Sequence, residues 1–217
     1  MRVKRAILAV VVLMGFAVPT LRSQPAPDWL EAIAPGFDTV VRDPVEYRRL
    51  ADKFSEGMVW MPARDCAIVY WGFPMQPGFT PEVAGEGDMQ RAIMAEDYAA
   101  AYALGTEILR RTPVNLTALY WTLYAATETR QSWEVRNSLK GRYNNLTRII
   151  SLSGDGVSPP TAFKVVWKND MYTYTMLELG LEIGDGFLWD DRWTEFEVTP
   201  SGKFYHKSIF YEQWAGR

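Results

Sequence analysis

The stretch that decides the fold is residues 96–129, EDYAAAYALGTEILRRTPVNLTALYWTLYAATET. Tyr98, Ala99, Tyr102, Ala103 and Ile108 place small and apolar groups on one side of a helix over Glu96 to Arg111. Pro113 and Asn115 interrupt the period and mark a tight connection. A second helix covers Leu116 to Thr129, and Ser132 caps a third from Trp133 to Ile150.

Helix, short proline-containing turn, helix is the unit of a helical repeat. The spacing of Tyr102, Pro113, Asn115, Leu119 and Ala125 resembles one tetratricopeptide-type hairpin, in a single clear copy. Upstream, Asp28 to Ala34 reads as a brief helix. The next is better marked: Asp43 caps it, Pro44 suits its first position, and Tyr47, Leu50, Ala51 and Phe54 form its buried side up to Glu56. Pro62 opens another helix through Tyr70 and Trp71 to Gly72. The segment Phe73 to Pro81 has too many prolines for regular structure and too many rings for a solvated loop, so it packs on something.

Downstream, Ser153-Gly154-Asp155-Gly156 reads as a turn, with glycines at positive φ and an aspartate closing it. It lacks the Gly-Lys-Ser/Thr ending of a phosphate loop and the further oxygen ligands of a calcium loop. Beyond it, Ala162 to Trp167 alternates as a strand, Asp170 to Leu179 reads as a helix, and Trp193 to Val198 and Lys207 to Tyr211 read as two strands joined across Thr199 to Gly202. The fold class is therefore α+β: a bundle of about five helices with a tetratricopeptide-like hairpin, followed by a small β-containing C-terminal unit. The expected divisions are 1–23, 24–152 and 153–217.

Residues 1–23 read as a signal peptide. Met1 to Arg5 is basic, and Ala6 to Val18 is an uncharged apolar run of 13 residues, too short to span a bilayer. Cleavage is expected after Ser23, with Gly15-Phe16-Ala17 as the other small-residue site. It removes Arg2, Lys4, Arg5 and Arg22 from the 23 basic residues and none of the 26 acidic ones, leaving a formal charge of −7. That balance argues against nucleic acid or an anionic membrane as partner. No later segment reads as a membrane span, so the expected location is the periplasm or the exterior. One cysteine makes no internal disulfide, and cohesion falls to core burial.

The motifs also carry a resemblance. Tyr70-Trp71-Gly72-Phe73 followed by Gln76-Pro77-Gly78-Phe79, the turn Pro113 to Tyr120, the run Ser153 to Val165, Asp170-Met171-Tyr172 and Leu179-Gly180-Leu181 occur in one order. Together they resemble an uncharacterised bacterial exported family known only as a domain of unknown function (family 4919). The likeness covers about residues 45 to 211 and departs at Phe204-Tyr205-His206-Lys207, which is more polar than the family's pattern. It implies export and a helical-plus-β architecture. It implies no activity and supplies no catalytic residues.

Catalytic machinery is scarce. His206 is the single histidine and Cys66 the single cysteine, so neither a serine triad nor a zinc site has its parts. No metal or cofactor is expected. Asp185, Asp190, Asp191, Glu195 and Glu197, near Trp189 and Trp193, leave paired-carboxylate hydrolysis of a glycosidase type as the competing class. The leading class is a non-catalytic binding or scaffolding module whose partner is a protein or glycan of the cell envelope. Neighbouring helical positions lie ~100° apart, so adjacent rings cannot all face one core. The candidate binding residues are accordingly Tyr70, Trp71, Phe73, Gln76, Tyr120, Trp121 and Tyr124, with Trp133 beside them.

Overall fold

The computed structural model describes residues 26–57, 60–190, 193–199 and 203–208, so the expected signal peptide and its cleavage site lie outside the described residues. The architecture is α+β. Helices α1 (Asp28–Ile33), α2 (Phe37–Arg42), α3 (Pro44–Ser55), α4 (Ala63–Gly72), α5 (Glu86–Met94), α6 (Tyr98–Arg111), α7 (Leu116–Glu128) and α8 (Trp133–Leu152) lead into β1 (Phe163–Val165), α9 (Lys168–Thr173), β2 (Glu182–Asp190), β3 (Trp193–Thr199) and β4 (Lys203–Ser208).

Local chemistry starts each long helix. The Asp43 carboxylate accepts from the amides of Val45 and Glu46 at 3.0 and 3.1 Å, with Pro44 where its missing N–H costs nothing. Asp97 caps α6 through Ala100 N at 3.0 Å, Asn115 caps α7 through Ala118 N at 2.6 Å, and Ser132 caps α8 through Val135 N at 3.4 Å. Helices α5 to α8 then follow one another, each packed on the next. Among the described residues eight α-helices precede β1 where about five were expected, and α9 follows it; the short α1, α2 and α9 are held by docking Leu30, Phe37 and Met171 in the core rather than by their own periodicity.

Helix α4 is the centre of the molecule. Every residue from Cys66 to Gly72 is buried, so the rings of Tyr70 and Trp71 enter the core from two directions. Trp71 meets Trp29 edge-on at 5.0 Å and donates from Nε1 to the Lys164 carbonyl at 3.3 Å. The proline-rich segment after α4 packs as expected: Phe73 and Phe79 lie 5.5 and 5.7 Å from the Trp167 ring, whose Nε1 donates to Thr80 O at 3.2 Å.

The sheet has the order β1-β4-β3-β2, with β1 parallel to β4 and the other pairs antiparallel. Strand β1 does not alternate as the sequence predicts. Phe163, Lys164 and Val165 are all buried, and the Lys164 ammonium donates to the Ser153 carbonyl at 2.7 Å while lying 5.5 Å from the Trp29 ring. Burial lowers its pKa to about 8, with Lys207 adding to the effect. The last strand is Lys203–Ser208, earlier than predicted, and residues 209–211 of the expected strand lie outside the described residues. The sequence does not predict strand β2, which forms because β3 offers it an edge.

The Ser153–Gly156 segment is a turn. Asp155 Oδ1 accepts from Val157 N at 2.9 Å and from Thr161 Oγ1 at 2.5 Å, and Gly156 adopts φ +70°. It fastens α8 to the sheet, since Tyr205 N donates to Gly156 O at 2.7 Å and Lys164 N to Ser153 Oγ at 2.9 Å.

Candidate binding groove

Helices α7 and α8 leave between them an outward-facing groove of about 490 Å³. Tyr120 and Leu123 form its α7 wall; Trp133, Arg136, Lys140 and Tyr143 form its α8 wall. The α8 positions advance by three, four and three, which puts them on one helical face. Trp133 is 66% exposed at one end of the groove. Tyr120 and Tyr143 lie ring to ring at 5.8 Å across its floor.

Some helical arginines are held by acids on their own helix, Arg49 by Glu46 at 2.6 Å, Arg110 by Glu107 at 2.9 Å and Arg91 by Asp88, while Arg142 donates to the Pro113 carbonyl and Arg148 to that of Met61. Arg136 and Lys140 have no ion-pair partner among the described residues, and the side chains of Asn137 and Asn144 beside them have no hydrogen bond there. Glu178 lies against Tyr143 and Tyr174, and Glu134 lines a different cavity between α6 and α8.

The structure divides the remaining candidates. Tyr70 and Trp71 are fully buried and offer no surface to a ligand. Phe73 is tied to Trp167, and the Gln76 amide donates to Val41 O and Gly72 O at 3.4 and 3.3 Å, joining α2 to the end of α4. Trp121 faces away from the groove and borders a smaller depression of about 260 Å³ with Tyr172 and Met176. Tyr124, 38% exposed, stacks edge-on against Tyr98 at 5.7 Å and Trp121 at 6.0 Å. Of the seven, only Tyr120 lines the groove. Arg136, Lys140 and Tyr143 escaped the sequence reading, although their spacing from Trp133 was open to view.

Beneath the smaller depression lies a sealed polar cluster. Asp170 has no exposed surface. Tyr70 Oη donates to its Oδ2 at 3.0 Å, and the amide and hydroxyl of Thr117 donate to Oδ1 at 3.1 and 3.2 Å. Tyr70 Oη in turn accepts from Val166 N at 3.0 Å, and Thr173 Oγ1 stands 2.8 Å from Thr117 Oγ1. Glu86, also buried, takes a hydrogen bond from the Asn169 amide. Burial, then the charge of Glu86, pushes the Asp170 carboxyl up to about 7; burial raises Glu86 as well, against hydrogen bonds from Asn169 and Asn115. Three of the segments that carry the family resemblance thus meet here, through Tyr70, Thr117 and Asp170, with Val166 just beyond a fourth. The cluster locks α4, α7 and α9 together and presents no atom of Asp170 to solvent.

The other chemical candidates are placed as follows. Asp185 is exposed, Glu195 is buried in an ion pair with Lys203 at 2.6 Å, and the side chains of Asp190, Asp191 and Glu197 lie outside the described residues. His206 is buried among Phe163, Tyr174 and Phe196, with Nε2 3.2 Å from Thr175 Oγ1, and burial pushes its pKa down to about 3. Cys66 is buried inside α4, and burial pushes its thiol up to about 12. The native protein should leave a thiol-disulfide reagent unconsumed over minutes and react with one equivalent in concentrated urea; rapid native reaction would contradict a sealed α4. Among the described residues no cluster of three metal-binding side chains occurs, and no helix is long and apolar enough to cross a membrane.

Fold and groove together define an α+β protein whose paired helices present one ring-lined, cationic surface. The chain belongs to the family described as Domain of unknown function (DUF4919), whose model matches residues 41–199. No curated protein and no solved structure matches it.

Proposed function

We propose that this protein is a non-catalytic binding module of the bacterial cell envelope, exported by its N-terminal segment, which takes its ligand in the groove between α7 and α8. The observation that carries this reading is Trp133. A tryptophan 66% exposed at the mouth of a concavity floored by two tyrosines holds most of its side chain out of the core, a cost that contact with a partner would offset. The basic and apolar character of residues 1–18 supports export. The scarcity of titrating groups, with the single histidine and single cysteine both buried, favours contact over turnover.

Co-sedimentation with purified envelope fragments tests it. The wild-type protein should pellet with them, and Trp133→Ala should lower the bound fraction roughly tenfold with an unchanged circular dichroism spectrum. Equal pelleting of the variant would remove the groove from consideration, and retention of the full-length chain in the cytoplasmic fraction of its host would remove export.

A further inference from the structure

We infer that the α7–α8 groove is built for an acidic saccharide whose negative charge is a carboxylate, as in a uronate-containing oligosaccharide. The inference rests on the binding reading above and adds the ligand's class. Its starting point is the pair Arg136 and Lys140. They stand one helical turn apart, where like charges repel each other along the helix, and neither has an acid partner among the described residues. The chain carries more acids than bases, 26 against 23, and holds Arg49, Arg91 and Arg110 to acids on their own helices. Two unpaired cations on one wall of a groove mark the place for an anion brought from outside. The guanidinium fork of Arg136 matches the two oxygens of a carboxylate, and Lys140 supplies a second point charge.

The rest of the lining favours a sugar over a strand-like or helical peptide. Strand addition needs an open sheet edge, and a docked helix needs apolar pockets at helical spacing. This groove is walled by two helices whose backbone groups are already paired within them. Its α8 side alternates rings with amides and cations: Trp133, Arg136, Asn137, Lys140, Tyr143 and Asn144. The ring faces of exposed Trp133 and half-buried Tyr120 suit the C–H faces of pyranose rings, while the carboxamides of Asn137 and Asn144 have both donor and acceptor to offer hydroxyl groups. Trp133 to Asn144 extends about 16 Å along the helix, enough for a short oligosaccharide laid along it.

Calorimetry with three defined probes tests the class: trigalacturonate, neutral maltotriose and pentaglutamate. Trigalacturonate should bind, weaken as salt is raised, and bind roughly tenfold more weakly to the Arg136→Gln, Lys140→Gln double variant, whose changed side chains are outside the core. Maltotriose should bind at least about tenfold more weakly than trigalacturonate. Absent trigalacturonate binding, equal binding of maltotriose, tighter binding of pentaglutamate, or an unaffected double variant would each overturn the inference. The two failures are separable: loss of envelope pelleting in Trp133→Ala without trigalacturonate binding keeps the groove and discards the ligand class, whereas unchanged pelleting discards the groove itself.

Discussion

Replacing Asp170 by alanine is expected to destabilise the protein by about 4 kcal/mol, measured by urea unfolding at pH 6. The variant leaves three donors buried without their acceptor: Tyr70 Oη, the Thr117 amide and the Thr117 hydroxyl. Each orphaned group costs about 1–3 kcal/mol, and Thr173 relieves only one of them. Asp170→Asn separates shape from charge. Its oxygen still accepts from Thr117, and its amide donates to Tyr70 Oη as the proton of the neutral acid does at pH 5, so there it should lie within about 1 kcal/mol of wild type. The two then diverge with pH. Asp170 keeps its proton to about pH 7 in the fold but has an ordinary value of 3.8, so its contribution is complete below 3.8 and is lost as pH rises toward 7. His206 works in the opposite sense. Its pKa falls from 6.5 to about 3 on folding, so its contribution is complete above 6.5 and is lost as pH falls toward 3.

Between about pH 4 and 6.5 these two slopes oppose each other, each bounded at about 1.4 kcal/mol per pH unit. The asparagine variant removes one of them. Its stability relative to wild type should therefore climb from pH 4 to pH 7 and level off above. Parallel curves for the two proteins would mean that Asp170 titrates like a solvated carboxylate, and the sealed cluster would be wrong.

Gly154→Ala is the second large effect, expected at about 3 kcal/mol. A methyl carbon there would stand 2.1 Å from the Thr161 carbonyl oxygen and 2.6 Å from that of Ala162. Both are backbone atoms, and the Thr161 oxygen already accepts from Asp155 N and Gly156 N at 2.9 Å each. No rotamer change relieves the contact, so the turn that fastens α8 to the sheet must shift. Gly87→Ala is the control. Its new carbon meets only the Arg91 guanidinium, at 3.6 Å, and it lies in the first turn of α5, where alanine favours the helix. That variant should be neutral or stabilised by up to about 1 kcal/mol in the same urea titration. A Gly154→Ala protein as stable as Gly87→Ala would refute the close packing of this turn.

Much of the fold was open to sequence reasoning where the information is local. Asp43-Pro44, Asn115 and Ser132 announce their helices because a cap is chemistry between residues two and three positions apart. The Ser153–Gly156 turn is legible for the same reason. The small C-terminal sheet was foreseen, but β2 was not, because Glu182 to Asp190 has no strand pattern of its own and is ordered by its partner β3.

The binding residues were harder. Rings at Tyr70, Trp71, Tyr120, Trp121 and Tyr124 look alike in sequence, and composition cannot tell a core ring from a lining one. Tyr70 and Trp71 were drawn inward by hydrogen bonds to Asp170 and Lys164, about a hundred positions further along the chain. Tyr120 became a groove wall because α8 lies beside it. Sequence alone determined the helix starts, the turn at Gly154–Gly156, the acid excess and the lack of catalytic imidazole or thiol pairs, all properties of neighbouring or counted residues. Tertiary structure alone decided which rings are sealed, which acids lose their water, and which cations line the groove without an acid partner. Those outcomes depend on what distant segments place opposite a side chain, and desolvation acts on that environment rather than on the residue's own neighbours in the chain.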